Sequence, residues 1–97
     1  MKIPNTITVP GRGKLVCRIF DNAAAFDRYT VAFNAVKDTL RRRLYYPYLA
    51  ASENPFHPQG FGQHGESEYF LTGKELGKRV SFESLPGDVQ KFILQNI

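Results

Sequence analysis

The chain has 97 residues, enough for one domain with a single hydrophobic core and little room beside it. Apolar residues at 42% and charged residues at 23% fit a globular protein, and no apolar run approaches the roughly 18–20 residues of a membrane span. The formal charge of +4 is uneven: Met1 to Arg43 holds nine Lys and Arg against three Asp, whereas Leu44 to Ile97 holds four against six acidic residues. Any attraction for an anionic partner therefore belongs to the first half. The opening Met1-Lys2-Ile3-Pro4-Asn5-Thr6 lacks the long apolar core of a signal peptide, so a cytoplasmic protein is expected. One cysteine, Cys17, excludes an internal disulfide and a cysteine-rich zinc site.

In chain order, Ile3 to Val9 reads as a short first strand with Ile7 and Val9 on one face. Pro10-Gly11-Arg12-Gly13 is a turn of type II chemistry, proline presetting φ and glycine supplying a positive φ. Two glycines around an arginine match no phosphate loop. Lys14 to Phe20 alternates, with Leu15, Cys17 and Ile19 inward and Lys14, Arg18 and Phe20 on the opposite face. That pattern makes Cys17 a buried strand position and not a nucleophile. Ala23-Ala24-Ala25 is a helical turn or a long hairpin connection. Arg28 to Phe33 is β-branched and aromatic, a strand with Tyr29, Val31 and Phe33 on one face. Asn34 to Arg43 is expected to be a loop with a possible helical turn.

Leu44 to Ser52 favours a fourth strand in which Pro47 marks an edge or a bulge. Asn54 to Glu66 holds both histidines, two of the six prolines and three of the eight glycines. Such density is incompatible with helix or an interior strand, yet Phe56 and Phe61 are costly to leave in water, so an ordered, packed surface loop is expected. Ser67 to Leu76 is polar, anchored by Tyr69, Phe70 and Leu71. Gly77 to Phe82 reads as a short strand with Val80 and Phe82 inward. The last segment is the clearest helix, with Ser84 as N-cap, Pro86 in the first turn and Leu85, Val89, Phe92, Ile93 and Ile97 on one apolar face. The expected architecture is α+β in a single domain over 1–97: an antiparallel, curved sheet of four or five strands with one C-terminal helix packed on it.

Four blocks, Ile19-Phe20-Asp21-Asn22, Asp27 to Val31, Ser52 to His64, and Gly77 to Glu83 with Leu85-Pro86, cover about half the chain. In that order they resemble a family of small uncharacterised proteins encoded by phages, prophages and plasmids. Ala23-Ala24 stand where that family usually has glycines, which leaves the turn between the second and third strands less defined. The resemblance implies a mobile-element origin and carries over no activity, cofactor or catalytic residue.

The residues offer three kinds of chemistry. His57 and His64, with Glu53, Glu66 and Glu68 nearby, could form a metal site, but their spacing matches no helical zinc motif, and backbone hydrogen bonding is the favoured role. Arg41-Arg42-Arg43 beside Tyr45, Tyr46 and Tyr48 is the nucleic-acid candidate, since guanidinium groups pair with phosphates and aromatic rings stack on bases. The third is a protein-docking surface combining Arg41 to Tyr48 with the loop residues Phe56, His57, Gln59, Phe61, Gln63 and His64, because Arg and Tyr dominate binding hot spots. No nucleophile elbow, HExxH or Cys-His arrangement points to catalysis. The expectation is a non-enzymatic binder without cofactor or membrane association. Its partner is expected to be a host protein, as for an inhibitor of CRISPR or another defence system or a modulator of transcription. Nucleic acid is the alternative partner and a metal the last.

Overall fold

Strands, not helices, are the main regular structure of the chain, about 41% against about 17%. The computed structural model describes residues 3–97. In order they form β1 (Thr6–Val9), β2 (Gly13–Asp21), β3 (Tyr29–Phe33), β4 (Val36–Asp38), β5 (Arg43–Ala51), β6 (Gly62–Ser67), the short helix α1 (Gly73–Leu76), β7 (Lys78–Val80), a 3-10 turn at Phe82–Ser84, and helix α2 (Gly87–Gln95). The seven strands make one curved, unclosed antiparallel sheet. Its lateral order is β6, β5, then β3 and β4 end to end, then β2, then β1 and β7 end to end. No helix among the described residues is long and apolar enough to cross a membrane.

Val9-Pro10-Gly11-Arg12 turns the chain as its sequence requires. Arg12 N–H donates to the Val9 carbonyl at 2.9 Å, and Gly11 takes φ 77° at the position where type II geometry needs it. β1 then runs along Gly13 to Val16, and Cys17 N–H donates to Asn5 O at 2.8 Å. Beyond it, on the same edge of β2, β7 pairs with Ile19 to Asp21. Arg79 ties the two short strands together by donating to Pro4 O and Asn5 Oδ1.

One sheet face carries Ile7, Val9, Cys17, Ile19, Tyr29, Val31, Leu49 and Ala51, and α2 lays Val89, Phe92 and Ile93 against it, with Leu85 from the connecting segment. This is the apolar face that the helical spacing predicts. Cys17 is 2% exposed, and burial pushes its thiol up to about 11, so it is an inert core residue. The opposite face is closed over Phe20 by the stretch around α1. Phe20 is 2% exposed, with the guanidinium groups of Arg18 and Arg79 within 5.6 and 5.7 Å of its ring. Arg18 also donates to Leu71 O at 2.6 Å and lies 4.2 Å from the Phe70 ring.

Three local expectations are corrected. The sheet has seven strands, not four or five, because Asn34 to Arg43 holds the strand β4 rather than a helical turn, and the Asn54 to Glu66 segment ends as the strand β6. β6 is an edge strand, paired among the described residues only with β5. Its glycines make room instead of breaking it: a Cβ on Gly62 would collide with the Phe92 ring, and one on Gly65 with the Tyr48 ring. Finally, α2 starts at Gly87 with Pro86 as its N-cap, not Ser84. A residue before proline avoids helical ψ, and Leu85 is extended at φ −76°, ψ 151°, so the helix cannot run through it. The Ser84 hydroxyl donates to Ser81 O within the 3-10 turn.

Ile93, 1% exposed, is central to the packing of α2, and Leu40, 95% exposed, packs on nothing. Chemical denaturation is expected to show Ile93→Ala costing about 2–5 kcal/mol and Leu40→Ala changing stability by less than about 0.5 kcal/mol.

Candidate binding surface

The Pro/Gly-rich loop is ordered by two consecutive turns. In Asn54-Pro55-Phe56-His57 the His57 N–H donates to Asn54 O at 3.1 Å, and in His57-Pro58-Gln59-Gly60 the Gly60 N–H donates to His57 O at 2.8 Å. Each has proline at its second position, where φ near −65° is already set. His57 Nδ1 accepts from Gln59 N–H at 3.1 Å, so its role here is to hold the second turn. The buried Ser52 closes the base: its N–H donates to Phe61 O, and its Oγ accepts from Phe61 N–H, both at 2.9 Å. Phe61 stacks on Phe26 at 5.6 Å, and Phe56 lies 5.3 Å from the Lys91 ammonium.

Beside this loop, Arg28 holds the β2–β3 connection to the end of β5. Its guanidinium forks onto Asp21, Nε to Oδ1 at 2.6 Å and Nη2 to Oδ2 at 3.1 Å, and Nη1 donates to Glu53. The hydrogen bond from Arg28 holds the Asp21 carboxyl below its ordinary value of 3.8. Arg28, Glu53, Asn54, His57 and Gln59 line a pocket of about 430 Å³ whose one guanidinium is already satisfied.

The arginine–tyrosine segment lies at the other end of the sheet. Arg41 and Arg42 are exposed at the tip of the β4–β5 hairpin. Arg43 turns back to pair with Glu66 at 2.7 Å and lies 4.7 Å from the Tyr45 ring, and the Glu66 carboxylate raises its pKa. Strand alternation divides the tyrosines. Tyr45 shares a face with Leu49 and α2, while Tyr46 and Tyr48 lie opposite, Tyr46 edge-on to Phe70 at 5.8 Å and Tyr48 across Gly65. The expected single surface is therefore corrected. β5 runs nine residues from Arg43 to Ala51, about 27 Å of strand, so Arg41, Arg42 and Arg43 lie at one end of it and Phe56, His57, Gln59 and Phe61 beyond the other. Gln63 and His64 lie on β6 between these ends.

His64 Nε2 donates to Asn96 Oδ1 at 2.9 Å, and Asn96 Nδ2 donates to Phe92 O at 2.8 Å. This ties the C-terminus of α2 to β6. Among the described residues no three His, Cys, Asp or Glu side chains are grouped to hold a metal ion.

A broad concave surface arises from Pro47. Ser52 N–H faces Phe61 on the β6 side, so by alternation the nitrogens of Ala51, Leu49 and Pro47 face β3. A regular ladder would need Pro47 to donate to Phe33 O, and proline has no N–H. There the ladder ends: Ala32 pairs with Tyr48, but the next pair is Val36 with Tyr45, so one extra residue is inserted on the β3–β4 side. This bulge at Asn34-Ala35 keeps β4 on β5 and takes the chain off β2, whose Gly13 to Val16 half pairs only with β1 among the described residues. The result is a groove of about 910 Å³ with Leu15, Phe33, Pro47 and Ile97 in its lining and Arg12 and Lys14 on its rim. Of the candidate site residues singled out in the sequence, Tyr45, Tyr48, His64 and Glu66 reach it. The available signals were Pro47 inside a strand pattern and the charged Arg12-Gly13-Lys14 turn.

Ser52→Ala would leave the Phe61 N–H without its acceptor, and denaturation is expected to show a loss of about 1–3 kcal/mol, with faster hydrogen exchange at the Phe61 amide. Because Asp21 has a lowered pKa, its ion pair stabilises fully above the ordinary carboxylate value and loses effect as pH falls through the lowered one. Thermal melts across pH should show Asp21→Asn less stable by several degrees at neutral pH. Its deficit should shrink below about pH 4. No family model, no curated protein and no solved structure matches the chain.

Proposed function

We propose that this chain is a small binding module that docks on a protein partner through the groove opened by the Pro47 bulge. One observation carries the reading: an apolar floor of strand and helix-end residues, broad enough for a segment of another chain, beside a cationic rim. The rim charges would speed encounter and orient the partner, and the floor would supply the buried area. The resemblance to mobile-element proteins favours a host protein as the partner, such as a component of a defence system or of the transcription apparatus.

Nucleic acid is the second reading, favoured by the exposed Arg41 and Arg42. It ranks lower because the stacking groups are engaged within the protein: Tyr46 meets Phe70, Arg18 covers Phe70, and Arg43 is paired with Glu66.

A photo-crosslinking residue placed at Ala35, exposed in the groove, is compared with one at Gln59 in the distant loop. In host lysate the Ala35 probe is expected to mark one protein that the Gln59 probe does not. The purified partner should then bind at least about tenfold more weakly when Arg12 and Lys14 are both changed to Glu. Labelling from Gln59 alone would overturn the reading. Tight binding of labelled DNA or RNA that falls steeply with salt would replace it with the second.

A further inference from the structure

The groove is bounded by unpaired backbone as well as by side chains. Cys17 N–H turns toward Asn5, so the neighbouring backbone groups alternate away from it. The N–H and C=O of Val16 and Lys14 therefore point into the groove, on the edge that β3 leaves at Phe33. No strand pairs with that edge among the described residues. Across the groove Val36 begins β4, which among the described residues pairs with β5 alone. A broken ladder of this kind is a template for an incoming extended chain, which would gain backbone hydrogen bonds and set alternate side chains on the floor.

The charge decides which chain fits. Arg12 and Lys14 stand at one side of the groove, Lys37 follows Val36 on the other, and Arg41 and Arg42 project from the hairpin beyond. Two carboxylates at this end, Asp38 and Glu66, face Arg43, at 3.8 and 2.7 Å, and Arg41 reaches Asp38 only at 4.0 Å. Arg12, Lys14, Lys37 and Arg42 have no carboxylate partner among the described residues. The floor between these cations is apolar: Leu15, Phe33, Pro47 and Ile97.

We infer that the groove takes up an extended, acidic segment of the partner protein, which adds as a strand to the Lys14–Val16 edge of β2. This rests on the docking reading above and goes further by naming the partner's chemistry. Apolar side chains at alternate positions of the segment face Leu15 and Phe33, and carboxylates at the positions between them meet Lys14 and Lys37. A nucleic acid would answer the charge but not the row of backbone donors and acceptors beside an apolar floor.

The test uses the intact protein and three synthetic peptides: one alternating Glu and Val, one alternating Lys and Val, and the Glu/Val peptide with every second valine replaced by proline. Affinity is read by titration and backbone engagement by amide hydrogen exchange. The Glu/Val peptide is expected to bind and to slow exchange at the Lys14 and Val16 amides by at least about tenfold. The Lys/Val peptide should bind at least about tenfold more weakly, and the proline peptide should give no protection. Equal binding of the acidic and basic peptides, or binding that leaves those two amides unprotected, would overturn strand addition. If no peptide binds while the Ala35 probe still labels a partner, this inference fails and the docking reading stands. If an oligonucleotide protects those amides and the peptides do not, both fail.

Discussion

A missing N–H in the middle of β5, one of the two nine-residue strands, shapes this molecule. β5 is flanked on both sides over Tyr48 to Ala51, so its neighbours depend on it for their ladders. Proline is usually confined to edges because an interior position forfeits a hydrogen bond. Here the forfeited bond falls where β3 would continue into β4, and the chain answers with one inserted residue. β4 stays with β5, and β2 loses a neighbour over its first half. The bulge, the divided sheet and the groove are one consequence seen at three scales.

The rest of the structure tolerates that break because its two faces are closed by different means. On one, α2 buries Val89, Phe92 and Ile93 against the sheet. The His64–Asn96–Phe92 chain of hydrogen bonds then fixes the helix end to the outermost strand. On the other, one aromatic ring, Phe20, is held between two arginines under the α1 stretch. At the end away from the groove, Arg28 and Ser52 fasten the β2–β3 connection and the Pro/Gly loop to β5. That end is tightly hydrogen-bonded, while the groove end has, among the described residues, an open stretch of β2 backbone and the unpaired cations Arg12 and Lys14.

This division also explains why the arginine–tyrosine segment and the histidine loop look related in sequence and are not related in space. They flank one strand, and a strand carries its two ends as far apart as a chain can. Strand alternation further parts Tyr45 from Tyr46 and Tyr48. Adjacent residues in a strand are poor candidates for one patch, whereas Lys14 and Val36, distant in sequence, line one groove.

By itself the sequence determined the elements whose signals are local. Leu15, Cys17 and Ile19 alternate into a strand; Pro10-Gly11 sets a turn; Val89, Phe92 and Ile93 recur at helical spacing. Burial of one face then makes the α+β arrangement follow, because a period-two surface and a period-3.6 stripe each need a cover. Tertiary structure decided the rest. β4 and β6 are strands because β5 offers them a ladder; their own sequences, Val-Lys-Asp and Gly-Gln-His-Gly-Glu-Ser, carry no apolar alternation. Gly62 and Gly65 looked like loop residues because the rings that fill their places, Phe92 and Tyr48, come from other elements. Pro47 was visible as a disturbance, but which neighbour would lose its hydrogen bond depends on which way its nitrogen faces, and only the pairing of Ser52 with Phe61 sets that phase. The groove belongs to the tertiary structure alone, since an open edge is defined by the strand that fails to pair with it.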